Sequence, residues 1–272
     1  MPTQNKDKEL NEMLNEISKY LSNISNVENI IHYYWKAGIY AESLLKFCYG
    51  NEKIVFPVDI QKITDTLGIW IEDVNINDFS NEHIKRLNHK IAQLSVQESV
   101  FSNEKEAVIY TDKYVPTASK RYAITNEIAQ YIFHKDDKKI YKNYFVMPMC
   151  PTKSDALVTE IFSIFLLIPM RNFLQEFYDY VKYRIKEQNI PISTEEWIKY
   201  LSEKAGVSEY YVAYGYQYLR SVAYWIYQAW ELKDTPEKLT EINMSEEDQQ
   251  EICSWISEED FSELKKWIFQ NE

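Results

Sequence analysis

Apolar residues recur at threes and fours along much of the chain, which is the period of an amphipathic helix. Over residues 7–24 they fall at Leu10, Met13, Leu14, Ile17, Leu21 and Ile24 and predict one helix with one buried face. Residues 28–49 carry Tyr33, Tyr34, Trp35, Tyr40, Leu44, Leu45 and Phe47 and read as a second. Residues 57–68 predict a short helix, with Pro57 near its start and Gly68 closing it. The pattern then changes. Residues 69–74, 90–96 and 107–110 are short and rich in β-branched side chains, so they predict a small sheet, antiparallel or mixed.

From Ser119 helical periodicity returns and holds. It predicts helices over 119–134, 153–168 and 171–187, separated by a Lys/Asp-rich stretch (135–143) and by Pro169. Ser193 followed by Thr194, Glu195 and Glu196 marks a helix start with acids in its positive first turn. A further helix starts at Ser208 and carries Tyr210, Tyr211, Tyr214, Tyr216, Tyr218, Tyr224, Trp225, Tyr227 and Trp230. Ser245 to Asp248 and Ser257 to Asp260 resemble capping boxes, with Asp standing where Glu or Gln is usual. The predicted class is α+β, mostly helical.

Composition narrows the function classes. A chain of 272 residues suits one core of ordinary size plus a helical appendage. Only 5 glycines and 8 prolines argue against an all-β sandwich and against a Gly-rich nucleotide loop. A net charge of −12 disfavours nucleic acid and anionic membranes as partners, and −9 of it lies from Glu231 onward. The longest apolar run, 161–170, falls short of the roughly 20 residues a membrane span needs. No secretory signal is read at the start, and Cys48, Cys150 and Cys253 have no CxxC spacing, so a cytoplasmic chain with reduced thiols is expected. Trp255, Ile256, Phe261, Leu264, Trp267, Ile268 and Phe269 need cover from the body, from a second copy in a homodimer, or from a protein partner.

Several segments match a known family in order. Residues 57–69, 107–110, 120–134, 162–169 and 197–208 together resemble the ImmA/IrrE family of zinc metallopeptidases over about residues 38–220. The resemblance implies a zincin-like core over 51–190, flanked by N-terminal helices (1–50), a helical, helix-turn-helix-like segment (191–235) and an acidic helical tail (236–272). It also implies where the chemistry should sit. Such enzymes need two histidines at i and i+4 to hold zinc, with a Glu beside the first to activate water. Those places hold Asn126, Glu127 and Gln130. The family's third ligand falls on Val158, with Glu160 two residues later. Carboxamides are neutral and weakly donating, and valine does not donate at all.

The expectation is therefore a vestigial site of Asn126, Glu127, Gln130 and Val158, with no catalytic residue, no metal and no cofactor. The helices over 119–134 and 153–168 should pack with Asn126, Glu127 and Gln130 facing 158–160. Three functions follow. In the first, the chain is an inactive pseudopeptidase serving as an intracellular protein-binding or regulatory scaffold. In the second, Glu127, His134 and Glu160, with Cys150, form a non-standard metal set in a divergent peptidase that cleaves a repressor-type protein. His32, His83 and His89 lie in other segments, and His83 and His89, six apart, fit no ligand spacing. In the third, the turn Ala205-Gly206-Val207-Ser208 belongs to a DNA-binding regulator acting through 195–220. Its reading helix, however, offers tyrosines and one Arg220 where a basic face is needed.

Overall fold

Polar residues ahead of Leu10 continue the first helix backwards, so α1 spans Pro2–Leu21. In the computed structural model the described residues are 2–21, 30–75, 92–98, 105–134, 153–184, 193–242, 244–255 and 257–269. Leu14, Ile17 and Leu21 of α1 are buried, and the helix meets α2 (Ile30–Tyr49) through Tyr20, whose ring lies 6.5 Å from that of Tyr33 and 5.4 Å from that of Tyr40. The Tyr33 hydroxyl donates to the Leu21 carbonyl at 2.8 Å, satisfying one of the acceptors left over at the end of α1.

The short helix α3 (Ile60–Leu67) begins later than Pro57. Asp59 starts it, because its carboxylate accepts from the Gln61 and Lys62 amides. Gly68 closes it at φ 66°, a left-handed conformation that glycine adopts without steric cost, and the chain passes directly into β1 (Ile69–Val74). With β2 (Ala92–Glu98) and β3 (Lys105–Asp112) this strand forms a mixed sheet of order β1-β3-β2. The β1–β3 pair is parallel and the β2–β3 pair antiparallel, with Leu94 opposite Ile109. Ala107, Ile109 and Thr111 alternate into the core from β3, so the central strand anchors the sheet on the helices.

One of those helices is α4 (Thr117–His134), which covers β2 and β3 and packs along α5 (Lys153–Leu167). Phe133 meets Phe162 edge-on, 5.4 Å between ring centroids. Pro169 ends α5, and α6 (Met170–Lys182) starts at once. No side chain at Pro169 caps it. The buried carboxylate of Glu42, from α2, accepts the Arg171 amide at 2.7 Å and does that work from a distance. Such a contact needs α2 close by, and Gly38 allows it, since a Cβ there would lie 2.3 Å from the Met170 sulfur.

Helix α7 (Thr194–Ala205) is capped by the Ser193 hydroxyl, which accepts from the Glu196 amide. Trp197 is buried between Phe173, Phe177 and Tyr180. After Gly206 the long helix α8 (Glu209–Glu231) runs past α2, α5 and α6. A 3₁₀ helix (Pro236–Ile242) leads to α9 (Glu246–Cys253) and α10 (Glu258–Phe269). Both fold back on the body. Trp255 meets Trp35 at 5.1 Å, Phe261 stacks on Trp230 at 5.0 Å, and Lys36 and Lys265 pair with Asp248 and Glu231, each at 2.6 Å. Among the described residues no helix is long and apolar enough to cross a membrane.

Candidate functional site

Successive residues of a helix turn by about 100°, so Tyr122, Asn126 and Gln130, four apart, share one strip of α4. Glu127 lies a quarter-turn round from that strip. The difference decides its surroundings. The strip is half-buried, whereas Glu127 is only 6% exposed and faces the sheet. Its Oε2 accepts the Leu94 amide of β2 at 2.8 Å. Among the described residues β2 is an outer strand of the sheet, so the carboxylate satisfies a donor that β3 does not. Asn126 and Gln130 are bonded to each other, Gln130 Nε2 donating to Asn126 Oδ1 at 3.2 Å.

Helices α4 and α5 pack together, and Glu127 and Glu160 have different partners, Leu94 of β2 for the first and Tyr214 of α8 for the second. Glu160 is instead the centre of a second cluster. Tyr214 of α8 donates to its Oε2 at 2.7 Å. Tyr122 stacks on Tyr211 with centroids 3.9 Å apart and an interplanar angle of 17°. Tyr210 meets Tyr211 edge-on, Tyr214 meets Tyr218, and Tyr218 meets Tyr34. Burial, then the Glu160 charge, pushes the Tyr122 phenol above its ordinary range. The hydrogen bond to Glu160, then burial, does the same for Tyr214. Both phenols are protonated at neutral pH, and that of Tyr214 is a donor to Glu160.

Zinc, which the family resemblance implies, does not fit the groups on α4. Its two expected nitrogen donors are carboxamides bonded to each other, and the carboxylate between them is directed at a strand amide. Among the described residues no group of three or more His, Cys, Asp or Glu is arranged to hold a metal ion. The alternative set of Glu127, His134 and Glu160 has its two carboxylates engaged with β2 and with α8 respectively. The side chains of His32, His134 and Val158, and all of His83, His89 and Cys150, lie outside the described residues.

The helix-turn-helix-like segment packs inward. A Cβ at Gly206 would lie 3.3 Å from Pro57 and 3.5 Å from Arg121, and Val212, Tyr218 and Leu219 of α8 are buried. Tyr210, at 72% exposure, Tyr214, at 38%, and Tyr224 face outward, as does Arg220. Glu160 and the tyrosine run both stand out in the sequence, and the tertiary structure connects them. The available signal was the spacing of Tyr211, Tyr214 and Tyr218, which puts three phenols on one face of α8.

No protein-family model, no curated protein and no solved structure matches this chain.

Proposed function

We propose that the chain is a catalytically inactive, ImmA/IrrE-like protein that acts inside the cell as a protein-binding or regulatory scaffold. The observation that carries this reading is the use made of Glu127. In a working zincin that carboxylate accepts a proton from metal-bound water, which demands an open face and two imidazoles beside it. Here the carboxylate accepts the Leu94 amide, and its neighbours Asn126 and Gln130 bond each other. A group used in this way holds a helix against a sheet edge. The scaffold then contributes surface, and the exposed tyrosines of α8 are its most distinctive part.

Elemental analysis of the purified protein, combined with co-expression beside a repressor-type substrate, tests the reading. The expected result is less than stoichiometric zinc, no cleavage, and an unchanged biological effect for Glu127→Gln. One tightly bound zinc per chain, with cleavage that disappears in Glu127→Gln, sinks it.

A further inference from the structure

We propose that Glu160 and the tyrosines around it form a receptor for an arginine side chain presented by a protein partner, a proposal that rests on the protein-binding reading and gives the partner its chemistry.

Several other carboxylates have a cation beside them: Asp73 has Lys120, Glu176 has Lys204, Glu196 has Arg184 and Glu231 has Lys265. Glu160 forms no ion pair with a described lysine or arginine. Tyr214 bonds it instead, and its charge acts on the nearby phenols of Tyr122 and Tyr218. Tyr214 satisfies one lone pair of Oε2, which leaves Oε1 and further acceptor capacity on a half-exposed carboxylate.

Tyr122 and Tyr211 form a stacked pair, and the largely exposed Tyr210 stands edge-on to it. A guanidinium suits such a place better than any other side chain. It is planar and stacks on aromatic faces, and its fork of donors matches a carboxylate. An ammonium lacks the plane. An anion is repelled by Glu160 and by the chain's net charge of −12. A purely apolar segment would strip water from Glu160 with nothing to replace it. Beside Tyr122 on α4, Asn126 and Gln130 supply amide groups of the kind that bond an extended peptide backbone.

The test uses the full chain and the probe acetyl-Gly-Arg-Gly-Arg-Gly-amide, followed by NMR of the tyrosine ring protons. The peptide should shift Tyr122, Tyr210, Tyr211 and Tyr214, and its citrulline counterpart, equal in shape but uncharged, should not. Glu160→Gln keeps an acceptor for the Tyr214 hydroxyl and should weaken binding at least about tenfold. Exposed Tyr210→Ala, which leaves the core untouched, should also weaken it. Glu247→Gln, in the acidic tail, should leave the affinity unchanged and so separates a built site from general attraction to an acidic protein. Absent ring shifts, equal binding of citrulline, or full affinity in Glu160→Gln or Tyr210→Ala overturns the proposal. A chain that ignores the peptide but shows no Glu127-dependent cleavage loses only this site. Cleavage through Glu127 removes the scaffold reading whatever the peptide does.

Discussion

Two buried glutamates, Glu42 and Glu127, do the same kind of work in different parts of the chain. Each is a carboxylate from a helix that accepts a backbone amide of another element, Arg171 for Glu42 and Leu94 for Glu127. Removing the acceptor leaves a donor unsatisfied, which costs about 1–3 kcal/mol. Glu127→Ala should therefore lower stability by about that amount in urea melts, while Glu127→Gln, which keeps an oxygen in reach of Leu94, should lose much less. Equal losses for the two would show that the Leu94 contact contributes nothing. Glu42 adds a pH dependence. Burial pushes its carboxyl above the ordinary glutamate range, against the smaller opposing influence of the Arg171 amide, Lys46 and Arg171. A raised acid binds its proton more tightly in the folded state, so its contribution falls as pH climbs from the ordinary glutamate value through the raised one. Urea melts across that window should show a downward slope that Glu42→Gln flattens. A slope unchanged by the substitution would assign it to other groups.

At the scale of elements, boundaries follow from local hydrogen bonding more than from hydrophobic period. Ser245 and Ser257 each accept the amide three residues on, at 3.1 Å, and Ser257 also donates to Asp260 at 2.7 Å, so both tail helices start where a capping box places them. Ser257→Ala should cost about 1 kcal/mol and speed amide exchange in the first turns of α10, with α5 as an unchanged internal reference. Equal protection in both proteins would mean that docking alone holds the helix start. Packing between elements has its own critical point at Gly38. A methyl group there meets the Met170 side chain, so Gly38→Ala forces α2 and α6 apart or turns that side chain elsewhere. The expected loss is about 1–3 kcal/mol by thermal or urea unfolding, despite alanine's better helix propensity. A net gain would mean that Met170 yields freely.

Across the whole molecule, the acidic tail is part of the body's packing. Ile252 and Trp255 are buried, Trp255 meets Trp35, and the Gln249 amide donates to the Ala229 carbonyl at 3.0 Å. Lys36 and Lys46 of α2 face Asp248 and Glu251 of α9, so the charge that makes the tail acidic is partly matched by the helix it covers. Trp255→Ala removes one of the tail's main apolar contacts and should raise amide exchange throughout α9 while leaving β3 and α5 protected. Uniform loss of protection across the chain would instead make the tail inseparable from the core's cooperative unit.

Much of this architecture is written locally. Helix period, β-branched runs, Asp59, Ser193, Ser245 and Ser257 at helix starts and Gly68 and Gly206 at helix ends all act within one or two turns, so the chain carries them without reference to distant residues. The mostly helical class with a small sheet is legible for that reason. So is the Asn126–Gln130 pairing, since residues four apart on a helix meet whatever surrounds them. What Glu127 bonds is a different matter. It lies 33 residues from Leu94, and the quarter-turn that separates it from Asn126 acquires meaning only once α4 lies on the sheet. Glu160 and Tyr214 are 54 residues apart and meet because α8 passes beside α5. Periodicity tells which face of a helix is buried. Only tertiary packing decides what that face is buried against, and here that decided the partners of both carboxylates.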